Sequence, residues 1–259
     1  MTRILTATRS AVSLVLVLLW MLAGALPLYP LVLPLGALLR PWRRHIVSAY
    51  MKTMSWGILT LFKVGGARFE RRGTIPTGEP CVILMNHQSL LDIVTTTLMG
   101  RPFVPAFVPR RRYARWYIPL VGASIWLLEC PVVDPKRDAK GAVETMRRAG
   151  LTHQHGILIF PEGHRSIDGN MRPFRTAGTH AILAARRVPV YAVATDGFWF
   201  GRRFVDFVLN VHRIHGETEI IGSFDPPSSE EEIPAFVEGV RDAIAQRLEE
   251  MRRRRHAGV

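Results

Sequence analysis

The stretch Asn86-His87-Gln88-Ser89-Leu90-Leu91-Asp92 sets an imidazole and a carboxylate five positions apart, directly after the apolar run from Cys81 to Met85. An imidazole titrates near neutral pH and suits the task of taking up and returning a proton. A carboxylate on its second ring nitrogen fixes the tautomer and stabilises the imidazolium. On a helix, five residues advance about 500°, which leaves the two side chains about 140° apart. On a strand, an odd offset sends them to opposite faces. Only a turn between them brings them together, and such a pair also arises by chance. The second stretch is Phe160-Pro161-Glu162-Gly163-His164-Arg165-Ser166, after another apolar run. Pro161 blocks further strand pairing and Gly163 permits close backbone approach, so Glu162 and Arg165 are held at a fixed spacing. Alone, this stretch also reads as an ordinary ion pair on a surface loop.

The elements that must position these residues follow from the pattern after about residue 65. Short apolar runs predict strands at 67–73, 81–86, 156–163, 188–195 and 207–216. Helical periodicity predicts helices at 91–99, 139–150, 176–187 and 230–255. Interleaved strands and helices imply an α/β fold: a mixed, partly parallel sheet flanked by helices, with a cleft at the carboxyl ends of the strands. Ser229 and Glu232 form a candidate capping box for the last helix, with Pro234 in its first turn. That helix ends in the run Arg252-Arg253-Arg254-Arg255-His256, read as solvated surface or as a face for anionic lipid.

Taken together, His87 with Asp92, Phe160-Pro161-Glu162-Gly163 with Arg165, and Val188-Pro189-Val190-Tyr191-Ala192-Val193 resemble the glycerolipid acyltransferase family. The bacterial 1-acylglycerol-3-phosphate acyltransferases are the nearest type, and the resemblance covers roughly residues 65 to 225. It implies acyl transfer from a thioester to a lyso-lipid hydroxyl, with His87 as general base and Asp92 orienting it. It also places Glu162 and Gly163 in the acceptor pocket. Arg165, then Arg137, then Arg175 are the candidates for a phosphate clamp. Two residues depart from the family pattern. His164 stands where a Thr is usual, and Pro135 follows Asp134 where an Arg is usual, leaving that charge to Lys136 or Arg137. No Gly-x-Ser-x-Gly elbow occurs, so a serine acyl-enzyme is unsupported and direct transfer is the simpler mechanism. Backbone N–H groups near the His87 turn are the expected donors to the tetrahedral oxyanion. Glycerol-3-phosphate or a lyso-aminolipid are alternative acceptors, and a non-catalytic protein binding anionic membranes is the alternative of another class.

The N-terminus points to a membrane. Residues 11–39 carry no charge, and as one helix they would measure about 43 Å, beyond the roughly 30 Å of a hydrocarbon core. Pro27, Pro30 and Pro34 argue against an unbroken helix, so one span or a broken re-entrant hairpin is expected, ending at Arg40, Arg43 and Arg44. An apolar helix from Met51 is expected to lie in the interface. A cleaved signal peptide, with Ala23-Gly24-Ala25 at its end, is the competing reading. Basic residues after the apolar run favour a cytoplasmic-membrane protein whose following domain faces the cytoplasm. The expected division is therefore a membrane segment, 1–64, and a catalytic domain, 65–259.

Lys and Arg total 34 against 21 acidic residues, a formal net charge of +13, and all but four of the basic residues are Arg. Such a chain suits polyanionic partners: membrane lipids, a lyso-phospholipid acceptor, and acyl-CoA or acyl carrier protein as the thioester co-substrate. No recognition helix, zinc spacing or aromatic platform supports nucleic acid. The run 109–117, rich in Arg and aromatics, suits a membrane face, a site for coenzyme A phosphates, or solvated surface. Cys81 and Cys130 lie in apolar runs and read as core, which favours a reducing compartment. His153 and His155 lack a third ligand at useful spacing, so no metal or cofactor is expected.

Overall fold

The structure is a computed structural model that describes residues 2–115, 121–201 and 205–257. Trp116 and Tyr117 of the basic-aromatic run lie outside the described residues. Eight strands are described: β1 Arg68–Arg72, β2 Ile75–Pro76, β3 Val82–Met85, β4 Gly100–Arg101, β5 Ala106–Phe107, β6 Ile157–Ile159, β7 Val190–Asp196 and β8 His215–Phe224. The main sheet has the order β1-β8-β7-β3-β6-β5, and β2 with β4 forms a small parallel pair. Within the main sheet, β7 and β8 alone run antiparallel. The helices are α1 Thr2–Pro27, α2 Leu33–Leu38, α3 Arg43–Val64, α4 Leu91–Met99, α5 Val121–Leu127, α6 Ala139–Thr152, α7 Thr176–Ala185, α8 Asp206–Asn210 and α9 Ile233–Ala257.

Both faces of the sheet are covered, which is why its central strands are continuously apolar. All four residues of β3 are buried, and alternation sends them to different cores. Val82 and Leu84 join Ile157, Ile159, Val190 and Ala192 under α6, α7 and α9. Ile83 and Met85 join Leu158 and Val193 in the core shared with the N-terminal helices, where Leu28, Val32, Val47 and Met54 belong. Helix α9 buries Ile233, Val237, Val240, Ile244, Leu248 and Met251, a stripe at steps of three and four residues. Its start is three residues later than the periodicity predicts. Glu232 still reaches back to the N–H groups of Ser228, at 2.9 Å, and Ser229, at 3.4 Å.

Two expectations are corrected. The segment 207–216 is not a strand: it forms α8 and a short turn of 3₁₀ helix, and the strand begins at His215. Phe207, Val211 and Ile214 are its buried apolar side chains, spaced four and three apart, so helical packing outweighs β-branched content. The three prolines also distort the first helix rather than break it. Leu28–Val32 forms a π turn, in which Leu33 N donates to Leu28 O, and the chain stays helical to Leu38. A wider turn accommodates the missing N–H groups.

After Leu39 the chain reverses and α3 returns along α1. Trp20 Nε1 donates to Met54 O at 3.1 Å, Tyr50 Oη to Gly24 O at 2.9 Å and Ser13 Oγ to Leu61 O at 2.9 Å. The helical stretch Leu5–Leu38 is long and apolar enough to cross a membrane, and little of it is buried in the protein. Val15, Leu19, Leu22 and Leu26 are all more than half exposed along α1. Arg43 pairs with Glu129, tying the start of α3 to the end of α5.

Candidate active site

Strand register explains why the two sequence stretches meet. Leu84 of β3 pairs with Ile159 of β6, so His87 and Glu162 each stand three residues past a matched pair, at the carboxyl end of the sheet. Asn86 fixes the neighbouring strand as well: its side chain exchanges two 2.8 Å hydrogen bonds with the backbone of Thr195 on β7. The chain then turns, and α4 begins at Leu91.

The turn is closed around the carboxylate of Asp92, which is fully buried. Its Oδ2 accepts from His87 Nδ1 at 2.8 Å, Gln88 N at 2.6 Å and Ser89 N at 2.8 Å. The first turn of α4 is a favourable place for that negative charge. Asp92 Oδ1 is buried and has no hydrogen-bond partner among the described residues. The His87 ring stacks on Phe160, centroids 4.0 Å apart and planes 20° apart, and its side chain is 14% exposed. With Nδ1 committed to Asp92, Nε2 carries the basic lone pair. A turn thus brings His87 and Asp92 together, as their spacing requires.

Glu162 braces this turn from below. Its Oε1 accepts from His87 N at 2.7 Å and its Oε2 from Arg172 N at 2.8 Å. Burial pushes its carboxyl up to about 7, against the pull of those two N–H donors, and nearby Asp92 adds to the rise. Ser166 N donates to His87 O at 2.7 Å, closing the second stretch onto the first. Three backbone donors of the His87 turn are therefore already used: His87 N by Glu162, and Gln88 N and Ser89 N by Asp92. These three are not free for the tetrahedral oxyanion that N–H groups near the turn are expected to serve. Cys81 and Cys130 are buried thiols pushed up to about 12 by desolvation, which makes neither a nucleophile near neutral pH.

A family model for acyltransferases matches residues 44–196. The chain belongs to the acyltransferase family. The 1-acyl-sn-glycerol-3-phosphate acyltransferase of Pseudomonas aeruginosa is 32% identical over 163 residues, covering 60% of this chain and 60% of that protein. The human 1-acyl-sn-glycerol-3-phosphate acyltransferase alpha is 29% identical over 154 residues, 57% of this chain and 52% of that one. The chain thus spans about half the length of the first curated relatives it matches. The crystal structure of the 1-acyl-sn-glycerophosphate acyltransferase PlsC from Thermotoga maritima has the same fold. Its TM-score is 0.63 at 22% identity, over 96% of this chain and 98% of that one.

In this member of the acyltransferase family the predicted basic residues are not all equally close. Arg165 is half-buried next to Ser166, so it lies beside the His87 turn. Arg175 stands before α7, its N donates to Pro161 O at 2.9 Å, and its side chain lines the space above Gly163. Gly163 has φ +69°, a left-handed conformation that favours glycine. Arg137 is exposed in the turn leading to α6, where its N donates to Asp134 O at 3.0 Å, and no hydrogen bond among the described residues ties its side chain to the His87 turn. Sequence reasoning singled out neither Arg172, whose N donates to Glu162, nor Arg110. Arg110 Nη2 donates to Gly163 O at 2.6 Å and lies 3.1 Å from His164 Nε2. The only signal was its membership of the run 109–117. Desolvation and then Arg110, Arg175, Arg172 and Lys136 hold the His164 imidazole below its usual range. Of these, Arg110 and Arg175 have side chains directly at Gly163.

Proposed function

We propose that this chain transfers a fatty acyl group from an acyl thioester, acyl-CoA or acyl carrier protein, to the free hydroxyl of 1-acylglycerol-3-phosphate, making phosphatidate. His87 is the general base and Asp92 its orienting partner. The acceptor hydroxyl gives its proton to His87 Nε2 as its oxygen attacks the thioester carbon. The C–S bond then breaks, and the imidazolium returns the proton to the leaving sulfur. Asp92 holds the imidazole in the productive tautomer and stabilises its charged form. Arg110, Arg165, Arg172, Arg175 and Lys136 supply positive charge for the acceptor phosphate, and Arg137 is a more distant contributor. Glu162 and Gly163 shape the acceptor side of the cleft. No metal or organic cofactor takes part in this scheme.

One observation carries the reading: the buried Asp92 carboxylate holds the His87 ring at 2.8 Å, in a turn joined through Glu162 to the Gly163 backbone that Arg110 engages. The named activities of the related proteins support the same acceptor. The exposed apolar face of α1 suits insertion in the cytoplasmic membrane. Because α3 returns along α1, residue 65 lies at the same end of the helix pair as the start of α1, so insertion from the cytoplasmic face would leave residues 65–259 facing the cytoplasm. The test is acyl incorporation by the purified full chain, given a labelled acyl thioester and a panel of acceptors with and without phosphate. Transfer to 1-acylglycerol-3-phosphate is expected, with His87→Ala lowering kcat by about 10²–10⁴-fold. No transfer by the wild type, or undiminished transfer by that variant, sinks the proposal. Preference for a phosphate-free acceptor moves it to another lyso-lipid.

A further inference from the structure

The C-terminal arginine run is not simply solvated surface. Arg252 Nη2 donates to Gly169 O at 2.7 Å and to Asp196 Oδ1 at 3.3 Å, and Arg255 Nη1 donates to Asp196 Oδ2 at 3.0 Å. Arg254 bridges Glu217 and Glu219 on β8. Asp196 ends β7 and is 3% exposed, so its charge depends on these two guanidinium groups. The same Asp196 Oδ1 accepts from Gln88 Nε2 at 3.0 Å. Gln88 is fully buried and every polar atom of its amide is engaged: Nε2 also donates to Gly169 O at 3.1 Å, and Oε1 accepts from Phe198 N at 3.0 Å. Its backbone N is one of the three donors on Asp92 Oδ2.

A continuous set of hydrogen bonds therefore runs from the last turns of α9 through Asp196 and Gln88 to the carboxylate beside His87. We infer that Arg252 and Arg255 are positioning residues of the active site, holding Gln88, and through it the His87–Asp92 turn, from the far end of the chain. The inference rests on the catalytic role proposed for His87. Remove both cations and a buried carboxylate is left without its charge partners. It must then take a proton or draw in water, and either change disturbs the acceptor that fixes Gln88. Gly169 lies in the loop that also carries Arg165 and Arg172, so Arg252 braces both halves of the cleft. The family match ends at Asp196, which leaves this clamp as a feature of the segment beyond it.

A double-mutant cycle tests the claim on the full chain, with acyl thioester and 1-acylglycerol-3-phosphate as substrates. The Arg252→Ala, Arg255→Ala pair is expected to lower kcat about tenfold or more while KM for the acceptor moves less than about threefold. Gln88→Ala is expected to lower kcat comparably, and the combined variant to be little worse than Gln88→Ala alone. Arg252→Lys with Arg255→Lys, which keeps both charges, should recover much of the loss. Arg253→Ala, on the exposed side of the same turn, should leave kcat at the wild-type value. Additive losses in the cycle, or a wild-type kcat in the alanine pair, overturn the proposal. Should the alanine pair not fold, Arg252→Gln is combined with Gln88→Ala and read by the same criterion. An inactive wild type overturns both the function and this inference. An active wild type with additive losses overturns this inference alone.

Discussion

At the scale of single residues, the asymmetry of the Asp92 carboxylate yields a sharp expectation. Among the described residues Oδ2 accepts three hydrogen bonds and Oδ1 none, so an asparagine can keep its oxygen on the crowded side. Asp92→Asn should fold, keep the His87 tautomer and lose only the charge proposed to stabilise the imidazolium. Its kcat should fall about 10–10²-fold, less than that of Asp92→Ala, which loses the turn as well. Steady-state rates for the two variants decide this. Glu162 offers a pH test. Its folded-state value of about 7 lies above the ordinary 4.5, so the folded chain binds that proton more tightly than the unfolded chain. Its stabilising contribution is full below pH 4.5 and is lost as pH rises through about 7, roughly 3 kcal/mol in all. Melting curves from pH 4.5 to 8 should show the wild type losing stability relative to Glu162→Gln over that window. The meeting of His87 with Asp92 was legible because their spacing excludes both regular structures. The bonds from Glu162 to His87 N and from Arg110 to Gly163 O were not. They join residues 75 and 53 positions apart, and only strand register brings them to one place.

Among elements, those with strong periodicity were readable. Helix α4 occupies Leu91–Met99, the range its pattern predicts, and α6, α7 and α9 lie within a few residues of theirs. Strands β3, β6 and β7 announced themselves as apolar runs. Strand β8 did not, because Glu217, Thr218 and Glu219 hide its pattern until Arg247 and Arg254 are seen to pair with its acidic residues. Strand β5 has two residues, too few for any periodic signal. The junction after β7 allows a stability prediction. Gly197 has φ +81°, and a Cβ there would collide with the carbonyl oxygen of His215. Gly197→Ala should therefore cost more than about 2 kcal/mol, read as a lowered denaturant midpoint with an unchanged slope. The same change should disturb Asp196 next door and lower activity with it.

For the molecule as a whole, the N-terminal helices and the sheet share a core. Leu28, Val32, Val47 and Met54 sit in one cluster with Ile83, Met85 and Leu158. Composition alone suggested a division near residue 64, since charge and hydropathy change there; packing across it could not be read from a linear pattern. Deleting residues 2–38 should therefore expose one face of the sheet and abolish cooperative unfolding, rather than release a soluble domain. Circular dichroism melts of the deletion chain in detergent check this, and a sharp transition at the wild-type temperature would count against it. Under the proposed function, such sharing bears on how the protein would sit on a bilayer. A greasy arm joined by a flexible tether lets its cargo bob and swivel, whereas one keyed into the sheet behaves as a rigid stem. With that stem embedded in lipid, side-chain packing along α1 and α3 sets how high the cleft rides above the headgroups and which way it tilts, so core mutations far from His87 can change which lipids come within reach.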